Sequence, residues 1–298
     1  MKKNQWIGLG LGFLMTSCAT HRVAGWDDSA DINASESLEE AKHESPIGLK
    51  DQWMAEGYAH WKKRHIRSEL EKALLKFKAV SKIAPEDLDS LILLSRGHFI
   101  LADAHLHENS EKMKAWEKGI FWGERAMATF PGFKSKVKEN FDEAVSVLPR
   151  SFVDAIYWTA ANLGSWVKDS NIATQLKYKS RIRSMIKKVE DLDPKYFYGA
   201  VNRYWGAYYA IAPFFAGGSM EKSSESFKKS FSSQNHYLGS HVLFAETYAA
   251  RKGNKELFKK ELEWVINADP TVLPEIIPEQ IIEQRKARAM LQNIDEYF

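Results

Sequence analysis

The stretch GSHVLFAETYAARKGNKELFKKELEWVINADP, residues 239–270, decides the fold class of this chain. Its first half carries small and apolar residues at helical spacing, and Gly253 then interrupts the pattern. A second amphipathic segment carries Phe258 and Leu262 on one face and ends at Pro270. Apolar residues at i, i+3 and i+4 indicate helices, while Gly and Pro mark where helices turn and end. The stretch is therefore predicted to be a helical hairpin.

The same design recurs towards the amino terminus. The preceding unit has a helix from Tyr196 to Pro213, a turn at Gly217-Gly218-Ser219 and a second helix with Phe227 and Phe231. Two looser units run from Trp53 to Pro85 and from Leu88 to about Phe130, and residues 133–192 supply three more helices. Small residues at helix crossings resemble the tetratricopeptide (TPR) design, and hairpins repeated along a chain form solenoids. We predict an all-α, TPR-like helical-hairpin solenoid of about four repeat units plus extra helices; an irregular helical bundle is the alternative.

The amino terminus resembles a bacterial lipoprotein signal. Two lysines precede a short apolar run, residues 6–15, which leads to small polar residues and then to Cys18, the only cysteine of the chain. We predict that residues 1–17 are a signal peptide and that lipid is attached at Cys18. An ordinary signal peptide followed by a chance cysteine is the alternative. Since Ala19 stands where an inner-membrane retention signal has Asp, the predicted location is the periplasmic face of the outer membrane.

The segment after the cysteine differs in composition from the rest. Residues 19–47 carry two basic and seven acidic side chains. A polar, strongly charged stretch cannot bury a core, so residues 18–47 are predicted to form a lipidated, solvated acidic tether. As a flexible chain it would reach about 30 Å. Residues 48–298 are predicted to be the folded TPR-like helical domain.

The chain offers no constellation typical of catalysis. We find no zincin motif, phosphate-binding loop or nucleophile elbow, and no paired carboxylates in an identifiable cleft. We therefore expect a non-enzyme without cofactor or metal. With 42 basic and 39 acidic residues there is no electrostatic support for nucleic-acid binding. The basic runs at 62–64 and 177–188 are interpreted as solvated helix faces, and membrane contact by the second run is the alternative.

Aromatic residues are concentrated instead of spread evenly. Residues 196–215 hold nine aromatic side chains interleaved with Gly and Ala. A helix with aromatic residues on nearly every side has more apolar surface than packing on its neighbours needs, and it could line a groove or tunnel. Tight packing between helices is the alternative. The candidate lining residues are Trp158, Asn162, Trp166, Arg203, Trp205, Tyr208, Tyr209, Phe214 and Phe215.

Several of these segments together resemble one known family. The matching pieces are the start at Cys18, Tyr157-Trp158 with Gly164 following, Arg203-Tyr204-Trp205-Gly206 leading through Ala212-Pro213 to Gly217-Gly218, and the ending from Arg285 to Phe298. In this order they resemble the T-component family of TRAP-transporter-associated TPR lipoproteins. The departures are Met15 in the lipidation signal and a Ser-rich helix from Ser223 to Ser233.

The resemblance implies a function. It implies a periplasm-facing lipoprotein, accessory to a TRAP-type transport system, that binds a periplasmic solute-binding protein. It also implies a homotrimer whose protomers each carry an apolar tunnel for a hydrophobic ligand. The competing hypothesis is a TPR scaffold that organises envelope assembly through its concave face.

Overall fold

The structure is a computed structural model that describes residues 22–27 and 46–298. These residues form thirteen α-helices and no strand, so the predicted all-α helical repeat fold is confirmed. The predicted signal peptide and Cys18 lie outside the described residues. The helices are α1 (Pro46–Trp61), α2 (Arg67–Ile83), α3 (Leu88–Ala104), α4 (Asn109–Ala128), α5 (Pro131–Lys134), α6 (Phe141–Ser146), α7 (Val153–Lys168), α8 (Ile172–Leu192), α9 (Tyr196–Ile211), α10 (Met220–Ser233), α11 (Leu238–Phe244), α12 (Lys255–Asn267) and α13 (Ile277–Gln292).

Neighbouring helices pack as the hairpin pattern predicts. Helix α1 packs on α2, α3 on α4, α7 on α8, and α9 on α10. In the stretch 239–270, α11 continues as a π-helical turn, Ala245–Ala249, and α12 follows after the loop. Gly253 adopts the left-handed φ of 66° that the turn requires, and Asn254 Oδ1 caps α12 by accepting the Leu257 N–H at 2.9 Å. The predicted hairpin is present.

A junction of small residues holds α3, α4 and α7 close together. Ser95 Oγ on α3 donates to the Gly119 carbonyl on α4 at 2.8 Å, and Asn162 Nδ2 on α7 donates to the Ser95 carbonyl at 3.0 Å. A Cβ at Gly123 would lie 2.0 Å from Thr159 Oγ1. Only glycine fits at this position, because the Thr159 side chain of α7 packs directly against the backbone of α4. Asn162 is therefore a structural core residue that joins helices.

Helix α9 starts with an unusual backbone. Phe197, Tyr198 and Gly199 have φ angles of 40°, 59° and 77°, so two aromatic residues occupy the left-handed region. This region costs non-glycine residues on the order of 1–3 kcal/mol and persists only where the surroundings hold it. Arg203 Nη1 donates to the Tyr198 carbonyl at 3.2 Å, and Ser230 Oγ donates to the Gly199 carbonyl at 3.3 Å. The predicted helix from Tyr196 to Pro213 is thus present but kinked at its first turn.

The last helix contacts the amino-terminal part of the chain through charged side chains. Glu279 on α13 forms a buried ion pair with Arg64, in the loop after α1, and a second one with Arg96 on α3 at 2.6 Å. Lys286 of α13 contacts Asp103 of α3 at 3.0 Å. Ion pairs thereby connect the carboxyl-terminal helix to the amino-terminal part of the chain. These ion pairs link α13 to α3 and to the loop after α1.

Residues 22–27 correct the expectation of a solvated tether for these six positions. Arg22 is buried and pairs with Glu124 of α4, whose Oε2 also accepts the Gly25 N–H at 2.9 Å. The Trp26 ring lies 5.8 Å from the Phe141 ring, and a Cβ at Gly25 would lie 2.0 Å from the Phe121 carbonyl oxygen. The average composition of residues 19–47 does not reveal that Arg22, Gly25 and Trp26 pack against the helical domain. The predicted boundary at residue 48 remains a prediction.

Candidate functional site

One face of α9 presents four half-buried aromatic side chains, Tyr204, Trp205, Tyr208 and Tyr209, here called the α9 aromatic face. They stack on one another, and Tyr204 and Trp205 also pack against the main core. The Trp205 and Tyr209 rings have centroids 5.7 Å apart and an interplanar angle of 25°. The Tyr204 and Tyr208 rings are 6.3 Å apart and nearly parallel at 13°. These side chains retain solvent contact, as the lining of a binding surface must.

Glycine on the opposite side of α9 explains why the aromatic residues face outwards. Gly206 is buried against α10, and a Cβ there would lie 2.7 Å from the Phe227 ring. Ser223 of α10 donates to the Gly206 carbonyl at 2.7 Å. Since the small residues take the contact with α10, the large ones are left on the free side of the helix.

The sequence continues from this face into a 3₁₀ turn, Phe214–Ala216, with two exposed rings. Phe214 is 93% exposed and Phe215 is 90% exposed. The turn itself is held: Tyr208 Oη donates to the Ala216 carbonyl at 2.6 Å, and Lys179 Nζ of α8 donates to the same oxygen at 3.1 Å. A fixed backbone thus holds two phenyl rings in solvent, which is costly unless something covers them.

A small cavity lies beside Trp158, between α3, α7, α13 and the kink of α9. Its volume is about 30 Å³. Asp103 of α3 and Glu279 and Glu283 of α13 supply acidic groups to it, and its other lining residues are apolar or aromatic. The lining residues are Phe99, Ile100, Asp103, Ala104, Trp158, Phe197, Tyr237, Glu279, Ile282 and Glu283.

The two glutamates of α13 in this cavity differ in protonation behaviour. Burial alone would raise the pKa of Glu279, but Arg96 and Arg64 outweigh burial and hold this pKa below its ordinary value. Burial raises the pKa of Glu283, and Asp103 raises it further against the opposing effect of Lys286. Glu283 Oε2 lies 3.4 Å from Lys286 Nζ, and the buried Trp158 indole N–H has no hydrogen-bond partner within the protein.

The remaining predicted residues lie in the core. Trp166 is 1% exposed and packs edge-on against Tyr178, and neither it nor Asn162 lines the cavity. Arg203 is buried, with its guanidinium 4.5 Å from the Tyr237 ring centroid. Of the nine predicted lining residues, Trp158 lies at the cavity, while Trp205, Tyr208, Tyr209, Phe214 and Phe215 lie at the surface.

The sequence does not predict the burial of Arg64. Arg64 was assigned to a solvated basic run, but it is buried against Glu279. Nothing in the local pattern distinguishes it from Lys62 and Lys63, because its partner lies 215 positions away. A buried arginine with a bidentate carboxylate partner is a long-range feature that a single sequence does not reveal. Among the described residues, no group of three His, Cys, Asp or Glu side chains is placed to hold a metal.

Comparisons with known proteins decide the family. The model of the TRAP transporter T-component family matches residues 111–298, from α4 to the carboxyl terminus. The chain belongs to this family. The match includes the α9 aromatic face and α13, whereas residues 22–27 and α1 to α3 precede it. The matching family model describes a component of TRAP transporters.

A relative in Treponema pallidum, named only as an uncharacterized protein, is 24% identical over 204 residues, or 63% of this chain. The matched region spans 61% of that relative's length. Within residues 46–298, none of the helices of this T-component protein combines the length and apolar character needed to cross a membrane.

Proposed function

We propose that this T-component protein is a lipid-anchored, non-catalytic envelope protein that binds the periplasmic solute-binding protein of its TRAP system through the α9 aromatic face. The observation that carries the proposal is the half-buried stack of Tyr204, Trp205, Tyr208 and Tyr209 within the family-matched region. Tyrosine and tryptophan supply large contact areas with a polar tip, and they are enriched at the centres of protein interfaces.

The charge around this face suits a polar partner. Lys222 Nζ of α10 lies 5.8 Å from the Tyr209 ring centroid, and Arg183 of α8 is close enough to Tyr204 to lower its pKa against the dominant effect of burial. Basic side chains at the edge of an aromatic patch favour an acidic partner surface and speed its encounter.

The proposal also includes a hydrophobic ligand. A cavity of about 30 Å³ beside Trp158 is far below the roughly 300–1,000 Å³ of ordinary ligand pockets. We therefore assign the ligand's contact to the α9 aromatic face, where the ligand and the solute-binding protein would meet. The alternative is a TPR scaffold for envelope assembly, which would bind its partners through an open concave groove.

A capture experiment tests the partner claim. The mature protein is solubilised from the envelope in mild detergent, and co-purifying proteins are identified by mass spectrometry. We expect a TRAP-type solute-binding protein with the wild type and a reduction of about tenfold, equal to about 1.4 kcal/mol, with the double variant Trp205→Ala, Tyr209→Ala.

The control is Trp264→Ala, which removes a tryptophan that is 36% exposed on α12. It should leave recovery unchanged. Equal recovery with all three proteins, or capture without any solute-binding protein, would contradict the partner claim. Native mass spectrometry of the same preparations reports whether the predicted homotrimer forms and whether a hydrophobic ligand co-purifies.

A further inference from the structure

An exposed apolar patch lies where α8 begins. Ile172 is 74% exposed and Leu176 is 68% exposed. Their i, i+4 spacing places them on one face of the helix, and Lys179 and Arg183 continue the same face at i+7 and i+11. Lys179 donates to the Ala216 carbonyl, which brings the turn with Phe214 and Phe215 beside this face. Ile172, Leu176, Phe214 and Phe215 are here called the α8 patch.

The patch is flanked by positive charge. Between residues 172 and 183 the sequence has four basic and no acidic side chains. Lys177 and Arg183 are exposed, and Lys177 Nζ lies 5.3 Å from the Tyr178 ring centroid. Apolar side chains bordered by lysine and arginine are typical of surfaces that lie in the interface of an anionic bilayer.

The amino-terminal segment lies along the first half of α8, on the side opposite Ile172 and Leu176, because Arg181 follows Ile172 by nine residues, or about 180° around the helix. The Trp26 ring contacts Arg181, at 5.5 Å from the guanidinium carbon, and the Arg22 guanidinium lies 5.9 Å from the Tyr178 ring. Followed towards the amino terminus, the chain therefore runs from Arg181 towards the start of α8. Ile172 lies six residues before Tyr178, about 9 Å along the helix.

The distance to the predicted lipid is short. Cys18 precedes Arg22 by four residues, which span at most about 14 Å when fully extended. Since Arg22 is fixed to Glu124, the anchored end of the chain cannot separate from the body by the about 30 Å of a free tether. Lipid at Cys18 would place the body against the membrane.

We infer that the α8 patch is a membrane-contact surface, where Phe214, Phe215, Ile172 and Leu176 enter the interface of an anionic phospholipid bilayer. The orientation of the body rests on the lipid attachment in the proposed function, whereas the affinity of the patch for lipid does not. A phospholipid surface is favoured over a protein partner because these four side chains have no polar tip, and because Lys179 and Arg183 continue the face of Ile172 and Leu176.

Vesicle flotation tests the patch without the anchor. The mature chain, residues 18–298 with Cys18→Ser, retains every described residue and is mixed with vesicles of phosphatidylcholine with or without phosphatidylglycerol. We expect binding to the phosphatidylglycerol vesicles that weakens with added salt. Phe215→Ser and Leu176→Ser should each reduce it by about tenfold, because each removes apolar area from the bilayer.

Leu75→Ser is the matched control, since Leu75 is also an exposed leucine, 59% accessible, but lies on α2. It should float like the parent chain. Absence of binding to anionic vesicles, or equal loss with Leu75→Ser and Leu176→Ser, would overturn the inference. Unchanged flotation of Phe215→Ser with loss of the solute-binding protein or of oligomers would show a protein interface instead, and would also overturn it.

A second measurement separates the patch from the anchor. In the lipidated protein, spin labels at Phe215→Cys and Leu75→Cys report depth through their collision rates with oxygen and with a water-soluble nickel complex. We expect the first label to lie in the bilayer interface and the second in water. If Cys18 carries no lipid but the Cys18→Ser chain still floats, the anchor claim fails and the patch stands; a lipidated protein with both labels in water leaves the anchor and refutes the patch.

Discussion

Two aromatic regions of the same chain differ in solvent exposure: one is buried and the other remains in contact with solvent. Around the cavity, Trp158 is 4% exposed, packs against Phe197 with ring centroids 5.2 Å apart and carries the Arg96 guanidinium on its face at 5.0 Å. On α9 and the following turn, side chains of the same types stack on one another, or on nothing, and remain in contact with solvent. Aromatic residues are abundant in both regions, so their burial depends on whether another helix packs against them.

The difference teaches where to look for function. The interior rings are covered by α3 and α13, and their role in stability is sufficient to explain them. The exterior rings are half-buried on α9 and almost fully exposed at Phe214 and Phe215. An apolar surface that the fold holds rigidly and leaves exposed indicates contact with another molecule.

The largest loss of stability is expected for substitutions in the interior region. Trp158→Ala removes a buried indole from a packed site next to Phe197 and Arg96, and we expect the free energy of unfolding to fall by about 3–5 kcal/mol in urea titrations. Trp264→Ala on α12 should cost clearly less, because Trp264 is 36% exposed. Equal losses for the two variants would show that burial does not distinguish these tryptophans.

The next largest change in stability is expected on the side of α9 that packs against α10, opposite the aromatic face. Gly206→Ala places a methyl group 2.7 Å from the Phe227 ring, and overpacking of this kind costs about 1–3 kcal/mol. Gly164→Ala on α7 meets no atom within 4 Å, so it should stabilise the protein by up to about 1 kcal/mol. Thermal unfolding of both variants checks the pair, and the same sign for both would refute this account of α9 packing.

The exposed rings should matter least for stability. Phe215→Ser removes a side chain that is 90% exposed, so the free energy of unfolding should change by no more than about 0.5 kcal/mol. A loss above about 1 kcal/mol would mean that Phe215 is a packing residue, and the contrast between the two regions would disappear.

The sequence predicts the hairpins well, because Gly253, Pro270 and the spacing of the apolar residues are local signals. It does not predict the kink at Phe197 and Tyr198. Left-handed backbone at aromatic residues persists here through Arg203, a residue from the next turns of the same helix. Such a conformation depends on tertiary contacts and leaves no mark in composition.

Surface and interior are harder to separate for charged residues. Arg22 and Arg64 both lie in polar stretches of the sequence, yet both are buried. Arg22 pairs with Glu124, and Arg64 pairs with Glu279. The predicted site residues divide between cavity, core and surface. Helical periodicity says which residues share a face, and it does not say which neighbour will cover that face.

The bond between α13 and the amino-terminal helices also has a consequence for how the protein is made. Arg64 and Glu279 are separated by 215 positions, so this pair forms only after almost the whole chain has left the ribosome or been exported. Contacts of such sequence separation slow folding, and the helices that await them expose apolar surface in the meantime. Local hairpins can assemble in order of synthesis, whereas the ion pairs of α13 with Arg64 and Arg96 form last.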